Sequence, residues 1–309
     1  MRIGITIGDP AGIGPEVVRT ALAETTRVPG VDFVVYGAPA FFEPRDFELV
    51  DVLPGVDFSD LEPGRADTRA ARLQHTAFLR AIEAAKTGAI DGIVTAPWTK
   101  SLLRTIGEEP TGHTELLAEA FDAPDCVMML AGDRLRVTLV TTHVALHAVP
   151  DLVTRDRITS VARTTATELR RSFGLAEPRL AVCGLNPHAG EQGTMGTEDA
   201  ETIAPAVDDL RREGIDAHGP FPADTLFAKF RDAQPYDAVV CMYHDQGLIP
   251  LKTLHFGASA NITLGLPIVR TSVDHGTAYD IAGRGVADAG SMRYAIQTAI
   301  DMIERRSRP

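Results

Sequence analysis

The chain has 309 residues, of which 44% are hydrophobic and 23% are charged, and this composition argues against a mainly disordered chain. At roughly 150 residues per domain, the length predicts two domains. The net charge of −12 disfavours nucleic-acid and anionic-membrane partners, and no apolar run approaches the ~18 residues of a membrane span. The cysteines form no CxxC pair, and the N-terminus reads as a strand rather than a signal peptide. We therefore expect a cytoplasmic protein without disulfides.

Short β-rich runs alternate with longer helical patterns along the chain. Strands are predicted at Arg2–Ile7, Val31–Tyr36, Ile90–Thr95, Cys126–Leu130, Arg136–Thr141, Arg179–Cys183 and Asp237–Met242. Helices are predicted at Gly14–Glu24, Ala66–Thr87, Thr114–Phe121, Asp151–Phe173, Glu198–Glu213 and Ser291–Arg305. Alternation of this kind predicts an α/β fold with a mostly parallel sheet and helices on both of its faces.

Three histidines follow predicted strands. Ligands of parallel sheets bind outside the carboxyl ends of the strands, and His143, His188 and His244 each come just after one. Three neutral imidazoles suit zinc and leave a coordination position open for substrate. A single histidine of this kind is more simply explained by a backbone hydrogen bond, but three equivalent positions favour a metal site. Asp245 and Asp224 could orient the imidazoles or could act as helix caps.

The loop after the first strand, residues 8–14, contains three glycines. It either binds an anion at the start of the next helix or is a tight turn that fixes the helix against the sheet. The chain has no GxGxxG, Walker A or GxSxG motif. This argues against an ordinary Rossmann dehydrogenase, a P-loop NTPase and an α/β-hydrolase.

A glycine-rich tract, residues 247–290, contains the cations Lys252, Arg270 and Arg284. A protein of net charge −12 needs such a local cluster if it binds an anionic ligand. Each of them taken singly is equally compatible with an ordinary surface cation.

Several long motifs resemble those of the 4-hydroxythreonine-4-phosphate dehydrogenases of pyridoxal phosphate biosynthesis, and together they cover nearly the whole chain. The motifs are GDPAGIGPE (8–16), GHTELL (112–117), TTH (141–143), GLNPHAGEQGTMGTE (184–198), GPFPADTLF (219–227), YHDQGLIPLK (243–252) and NITLGLPIVRTSVDHGTAYDIAG (261–283). The IPLK motif is shared with relatives that act on 4-phospho-threonate or 4-phospho-erythronate, whereas the GLNPHAGEQGTMGTE and PADTLF motifs favour the biosynthetic enzymes.

The resemblance implies a metal held by His143, His188 and His244, with ligands from both subunits of a homodimer, so that the active site lies at the subunit interface. The metal would be zinc, with magnesium or cobalt as alternatives. The implied contacts to a phosphorylated small-molecule substrate are His113, Thr114, Lys252, Asn261 and Arg270. The chain departs from the family pattern at His255 and Ala260, where the family has glycine and usually valine.

A more distant resemblance links residues 274–283 to the adenosine-binding loop of isopropylmalate and isocitrate dehydrogenases. It implies NAD as cofactor, with contacts at His275, Gly276, Thr277 and Asp280. It also implies two α/β/α domains that flank a cleft. We expect a cofactor-side domain of residues 1–122 plus 246–309, and a middle domain of residues 123–245 that carries the metal ligands and dimer contacts.

The reaction implied by these resemblances is oxidation of 4-phosphooxy-L-threonine at C3, followed by decarboxylation to 3-amino-2-oxopropyl phosphate. The candidates for the proton acceptor are Lys100, Asp245 and a water molecule on the metal. Three alternatives are a dehydrogenase of 4-phospho-threonate or 4-phospho-erythronate, a three-histidine metal hydrolase, and a non-catalytic protein that binds a phosphorylated metabolite.

Overall fold

The computed structural model describes residues 1–25, 28–43 and 47–307. The chain forms two compact units. Unit 1 comprises Met1–Pro124, Gly257–Asn261 and Leu266–Glu304. Unit 2 comprises Asp125–Phe256, Ile262–Gly265 and the residues from Arg305 onward. None of the helices in the described residues is long and apolar enough to cross a membrane.

The strands are β1 (Arg2–Thr6), β2 (Asp32–Gly37), β3 (Glu48–Asp51), β4 (Gly92–Thr95), β5 (Val127–Gly132), β6 (Arg136–Leu139), β7 (Arg179–Cys183), β8 (Asp216–Phe221), β9 (Ala238–Cys241), β10 (Ser259–Leu264) and β11 (Val269–Ser272). The α-helices are α1 (Gly14–Thr25), α2 (Thr68–Lys86), α3 (His113–Ala120), α4 (Val149–Leu152), α5 (Arg155–Phe173), α6 (Ala204–Arg212), α7 (Ala223–Ala228), α8 (His244–His255) and α9 (Gly290–Arg306).

Unit 1 contains the strand order β3-β2-β1-β4-β11, and these neighbours are parallel. Strand β1 is buried on both faces after Arg2, as expected for an apolar inner strand of a parallel sheet. In the β4–β11 pair, Arg270 lies opposite Ile93 and Ser272 lies opposite Thr95. This register brings the carboxyl ends of the two strands side by side.

Unit 2 contains the strand order β5-β6-β9-β7-β8, in which β5 and β6 are antiparallel and the other pairs are parallel. Its core packs Leu251 of α8 and Phe230 against residues of the sheet such as Val137 and Val239. Because β6, β9 and β7 are neighbours, the loops that follow them start close together. These loops carry His143, His244 and His188.

The α/β fold is confirmed, with differences in several local elements. The predicted helix 151–173 is two helices, because Thr154 caps α5 by accepting a hydrogen bond from Arg157 N at 3.2 Å. The second half of the chain also contains α8, β10 and β11 in the tract that was described only as glycine-rich. Unit 2 extends through Phe256, later than the expected crossing near 245, because α8 packs on β5, β6 and β9. The assignment of the two units to cofactor and metal stays a prediction.

A buried ion pair stabilises unit 2. Arg306 donates from Nη2 to Glu168 Oε2 at 2.8 Å and from Nε to Ser172 Oγ at 2.8 Å, and both charged side chains are almost fully buried. Loss of one partner from such a pair leaves an uncompensated buried charge. On the same helix, α5, Arg163 forms a two-pronged pair with Glu213 that is about half exposed.

The two pairs allow a matched test. We expect Glu168→Gln to lower the free energy of unfolding by about 3 kcal/mol, because the Arg306 guanidinium loses its buried counter-charge. We expect Glu213→Gln to cost below about 1 kcal/mol, because water screens that pair. Urea unfolding followed by circular dichroism measures both. Equal effects of the two substitutions would contradict the assignment of Glu168 as a buried counter-ion.

Candidate active site

A buried guanidinium marks one candidate site, in unit 1. Arg270 on β11 is only 2% exposed. Its Nη2 donates to Thr95 Oγ1 at 2.7 Å and lies 3.1 Å from His113 Nδ1. Burial lowers the pKa of Arg270 to about 10, against the opposing effect of Glu115. The side chain is therefore still a cation at neutral pH, and a buried cation at a strand end favours an anionic ligand.

The other predicted substrate and proton-transfer residues lie on several elements. Lys100 begins a 3₁₀ helix, and its Nζ would lie only 2.9 Å from a Cβ built on Gly112, so the glycine allows the ammonium to approach the start of α3. Thr114 lies in the first turn of that helix. Asn261 Oδ1 on β10 is buried and has no hydrogen-bond partner among the described residues, which fits an acceptor for a ligand. Lys252 lies on α8 of unit 2.

Aromatic rings enclose the imidazole of His113. The indole of Trp98 stacks on it, with the ring centroids 3.9 Å apart and an angle of 17° between the planes. The centroid of the Phe78 ring lies 4.3 Å from that of the imidazole. Burial lowers the pKa of His113 well below its ordinary value, and the positive charges of Arg270 and Lys100 lower it further. Trp98 was not predicted as a site residue, because a tryptophan after a strand reads as an ordinary packing residue.

The strand-end histidines of unit 2 form a second candidate site. The rings of His143 and His244 lie with their centroids 5.5 Å apart. The strand ends below them are joined by Gln246, whose Nε2 donates to Gly184 O at 2.7 Å and whose Oε1 accepts from Met242 N at 2.7 Å. Within residues 1–25, 28–43 and 47–307, no three His, Cys, Asp or Glu side chains converge as a complete metal-ligand set. One chain therefore brings together two of the three predicted ligands.

His244 is suitably oriented for a metal. Its Nδ1 lies 2.7 Å from Asp245 Oδ1, and since a carboxylate only accepts hydrogen bonds, Nδ1 carries the proton. The lone pair of Nε2 then points away from the carboxylate, which is the usual arrangement of a metal-ligating histidine. Asp224, the other acid considered for this task, is exposed in the first turn of α7. The donor set thus fits a divalent transition metal.

His188 belongs to a short left-handed turn. Its φ is +54°, and the next four residues also have positive φ. The buried carboxylate of Asp199 holds the start of this turn by accepting from Leu185 N at 2.8 Å and Asn186 N at 3.1 Å. Non-glycine residues adopt this backbone region only at a cost of the order of 1 kcal/mol each. Neither Asp199 nor Gln246 was predicted, because a buried polar anchor has no local sequence motif.

The glycine loop of unit 1 is a packing turn and does not form an open anion cradle. The amides of Ala11, Gly12 and Ile13 already donate to Asp9 Oδ1, Asp9 O and Thr277 O at 3.0, 3.1 and 3.0 Å. A Cβ on Gly12 would lie 2.7 Å from Thr277 O, and one on Gly14 would lie 2.4 Å from Ile7 O. The glycines therefore permit close packing.

The loop of residues 274–283, named here the adenosine loop, is tied to that glycine turn. Tyr279 donates from its hydroxyl to the buried Asp9 Oδ2 at 2.6 Å, and burial together with this bond raises the pKa of Tyr279. His275 Nδ1 lies 3.0 Å from Gly276 O. His275 Nε2 is buried without a hydrogen-bond partner among the described residues.

Asp280 and Arg284 are exposed. The side chain of Asp280 makes no hydrogen bond or ion pair in the described part of the chain. The two departures from the family pattern are packing positions. His255 is buried against Gly132, where a Cβ would lie 2.4 Å from the imidazole Cγ, and Ala260 is fully buried.

The chain thus consists of two α/β units, with strand-end histidines in one and a buried arginine in the other. The fold is shared at low identity with isocitrate dehydrogenase from Methylococcus capsulatus, with a TM-score of 0.54 and 16% identity over 99% of this chain and 86% of that chain. The family model described as pyridoxal phosphate biosynthetic protein PdxA matches residues 15–299. The chain belongs to this family.

Closer similarities agree. A 4-hydroxythreonine-4-phosphate dehydrogenase from Geobacter metallireducens is 48% identical over 97% of this chain and 95% of the relative. A crystal structure of 4-hydroxythreonine-4-phosphate dehydrogenase from Klebsiella pneumoniae has a TM-score of 0.85 and 40% identity, and the match covers 98% of this chain and 99% of that one. The resemblance drawn from the motifs is therefore confirmed, and with it an oxidoreductase scaffold of pyridoxal phosphate biosynthesis.

Proposed function

We propose that this protein is a metal- and NAD-dependent dehydrogenase that converts 4-phosphooxy-L-threonine into 3-amino-2-oxopropyl phosphate. Oxidation removes the C3 hydrogen as hydride and the C3 hydroxyl hydrogen as a proton, and gives a β-keto acid. Loss of CO₂ from that acid gives the product. The observation that carries the proposal, beside family membership, is the buried Arg270 cluster in an acidic protein. It provides the local positive charge that an anionic substrate requires.

The residues of unit 1 would bind and orient the substrate. The guanidinium of Arg270 can hold a phosphate or carboxylate through two parallel hydrogen bonds. Lys100 adds positive charge beside α3. Asn261 offers its buried amide oxygen to a donor such as the substrate ammonium. Thr114 is a further proposed contact in this unit, Lys252 of unit 2 is the remaining proposed contact, and Lys100 is the candidate in unit 1 for proton transfer.

The residues of unit 2 would hold the metal at the C3 hydroxyl. When bound, a divalent cation, most simply zinc with magnesium or cobalt as alternatives, supplies Lewis acidity that lowers the pKa of that hydroxyl. The pairing of His143 with His244 supports two ligands from one chain. We assign His188 to the partner subunit, since the described residues bring only the other two rings together. Asp245 acts by orienting His244.

Exposed apolar side chains support a homodimer with the site at its interface. In the segments that carry the three histidines, Leu146 is 69% and Ile249 is 62% exposed, and Val144, Leu152 and Met195 are also exposed. A soluble monomer rarely leaves several large apolar residues around its functional groups in water. A second copy of the chain would cover them and supply the third ligand. The implied location is the cytoplasm.

A direct assay tests the function. Purified protein with NAD⁺ and zinc is given 4-phosphooxy-L-threonine, 4-phospho-threonate or 4-phospho-erythronate, and NADH and CO₂ are measured. We expect kcat/KM for the first substrate to exceed the others by at least about tenfold, because its ammonium group has a matched acceptor. A chelator should abolish turnover and zinc should restore it. A higher kcat/KM with either alternative would move the protein to that branch, and phosphate release without NADH would indicate a hydrolase.

Subunit mixing tests the division of metal ligands. His188→Ala and His244→Ala should each be inactive, and a refolded equimolar mixture should regain about a quarter of the wild-type activity, because half of the dimers then contain one intact site. The matched control is a mixture of His143→Ala with His244→Ala, which should regain none if both ligands come from one subunit. Recovery in the control mixture, or full metal content in each single variant, would contradict this division.

Cofactor choice tests the adenosine loop. A carboxylate at Asp280 can accept a hydrogen bond from the ribose 2′-hydroxyl of NAD and would repel the 2′-phosphate of NADP. We expect kcat/KM with NAD⁺ to exceed that with NADP⁺ by at least about tenfold, and Asp280→Lys with Ile281→Tyr to reverse the trend. Glu83→Lys, on an exposed face of α2, is the charge-matched control and should leave the ratio unchanged. Equal use of both cofactors by the wild type would remove Asp280 from the cofactor site.

A further inference from the structure

Three side chains of unit 1 are connected to one another: Trp98 stacks on His113, and His113 is hydrogen-bonded to Arg270. The indole of Trp98 lies nearly parallel to the His113 ring at a centroid distance of 3.9 Å. The same ring lies 3.1 Å, through Nδ1, from Nη2 of Arg270. The ring of Phe78 packs beside both of these rings, with its centroid 4.3 Å from that of His113 and 5.6 Å from that of Trp98. The imidazole is therefore fixed in plane by stacking and fixed in rotation by one hydrogen bond.

The hydrogen bond determines which nitrogen of His113 carries the proton. A guanidinium has only donors, so Nη2 of Arg270 must donate and Nδ1 must accept. Nδ1 then has no proton, and the single proton of the neutral ring is on Nε2. A proton on both nitrogens would set two donors against each other at 3.1 Å and would place a second cation beside Arg270.

We infer that Trp98 is a positioning residue that, together with Arg270, holds His113 as the neutral Nε2–H form, so that His113 donates a hydrogen bond to the anionic group of the substrate. The inference rests on the proposed function for the identity of the ligand, but the protonation state does not depend on it. In this form Nε2 already carries a proton, and Nδ1 already accepts the hydrogen bond from Arg270. His113 is thereby excluded as the base of the oxidation and selects a ligand atom that accepts, such as a phosphoryl or carboxylate oxygen.

The charges that surround His113 also favour the neutral form of its ring. Arg270 of β11 and Lys100 of the 3₁₀ helix face the ring, and burial and both cations lower the pKa of His113. Glu115 on α3 is the nearby acid, and its effect falls on Arg270. The face of Trp98 alone would favour an imidazolium through a cation–π contact. Removal of the Arg270 charge should therefore raise the pKa of His113 and make the ring easier to protonate.

The single tryptophan of the chain makes this measurable, because a stacked imidazolium quenches indole fluorescence and a neutral imidazole does so weakly. We expect the emission of the wild-type protein to stay constant from about pH 8 to pH 5.5, a range that spans the ordinary histidine pKa. Arg270→Met should show quenching on acidification, and the added substitution His113→Gln should abolish it. His75→Gln, a histidine on α2, is the control and should change nothing.

Two results of these measurements would contradict the inference. A wild-type quenching step near the ordinary histidine pKa that His113→Gln removes would overturn the inference. So would an Arg270→Met variant, folded by circular dichroism, in which quenching on acidification does not begin at a higher pH than in the wild type. These measurements need no substrate, so they stand even if 4-phosphooxy-L-threonine is not turned over and the proposed function fails.

Kinetics test the positioning role of Trp98. Trp98→Ala should raise KM for 4-phosphooxy-L-threonine by up to about tenfold with kcat within about twofold, the size expected for loss of one aromatic stack. Trp98→Phe retains a stacking face and should restore most of the loss. If Trp98→Ala does not fold, Trp98→Phe and the wild-type fluorescence still decide the question. A wild-type KM in folded Trp98→Ala would show that the stack does not position His113.

Discussion

The burial of one charge, the Arg270 guanidinium, sets the arrangement of unit 1. A cation taken out of water costs several kcal/mol unless polar groups replace its hydration. The parallel register of β4 and β11 supplies Thr95, and the start of α3 supplies His113. Both of these partners are neutral, and Glu115 is the nearby acid that acts on the guanidinium. In a protein of net negative charge, an anionic ligand requires a local positive centre of this kind.

The two units hold their functional groups by different means. In unit 1 the charged group is on a strand, and the sheet itself fixes its position. In unit 2 the histidines follow the strand ends, on turns or, for His244, at the first residue of α8, outside the hydrogen bonds of the sheet. Side chains fix the backbone there: Asp199 holds the left-handed turn of His188, and Gln246 joins the ends of β7 and β9. The positions of the predicted metal ligands therefore depend on these polar anchors.

The strand-end positions of His143, His188 and His244 could be predicted from the sequence because these residues follow apolar strands, and β7 was predicted with its observed bounds. Helix α8 was not predicted, because Gly247 and Pro250 interrupt its pattern. It is stabilised instead by packing Leu248 and Leu251 into the core of unit 2, which is tertiary information. Strand β8 was missed for a similar reason, since its glycine and proline read as a turn.

The glycine turn is an example of a structure that the local sequence alone does not determine. Free amides at a helix start and a close-packed turn both require small residues, so the sequence of residues 8–14 is compatible with either. The acceptor that decides between them, Thr277 O, lies far along the chain. The same separation applies to Trp98 and His113, whose stack depends on the packing of α3 against the end of β4. Residue identity thus predicts which groups are available, and long-range packing determines which of their hydrogen-bonding atoms remain for a ligand.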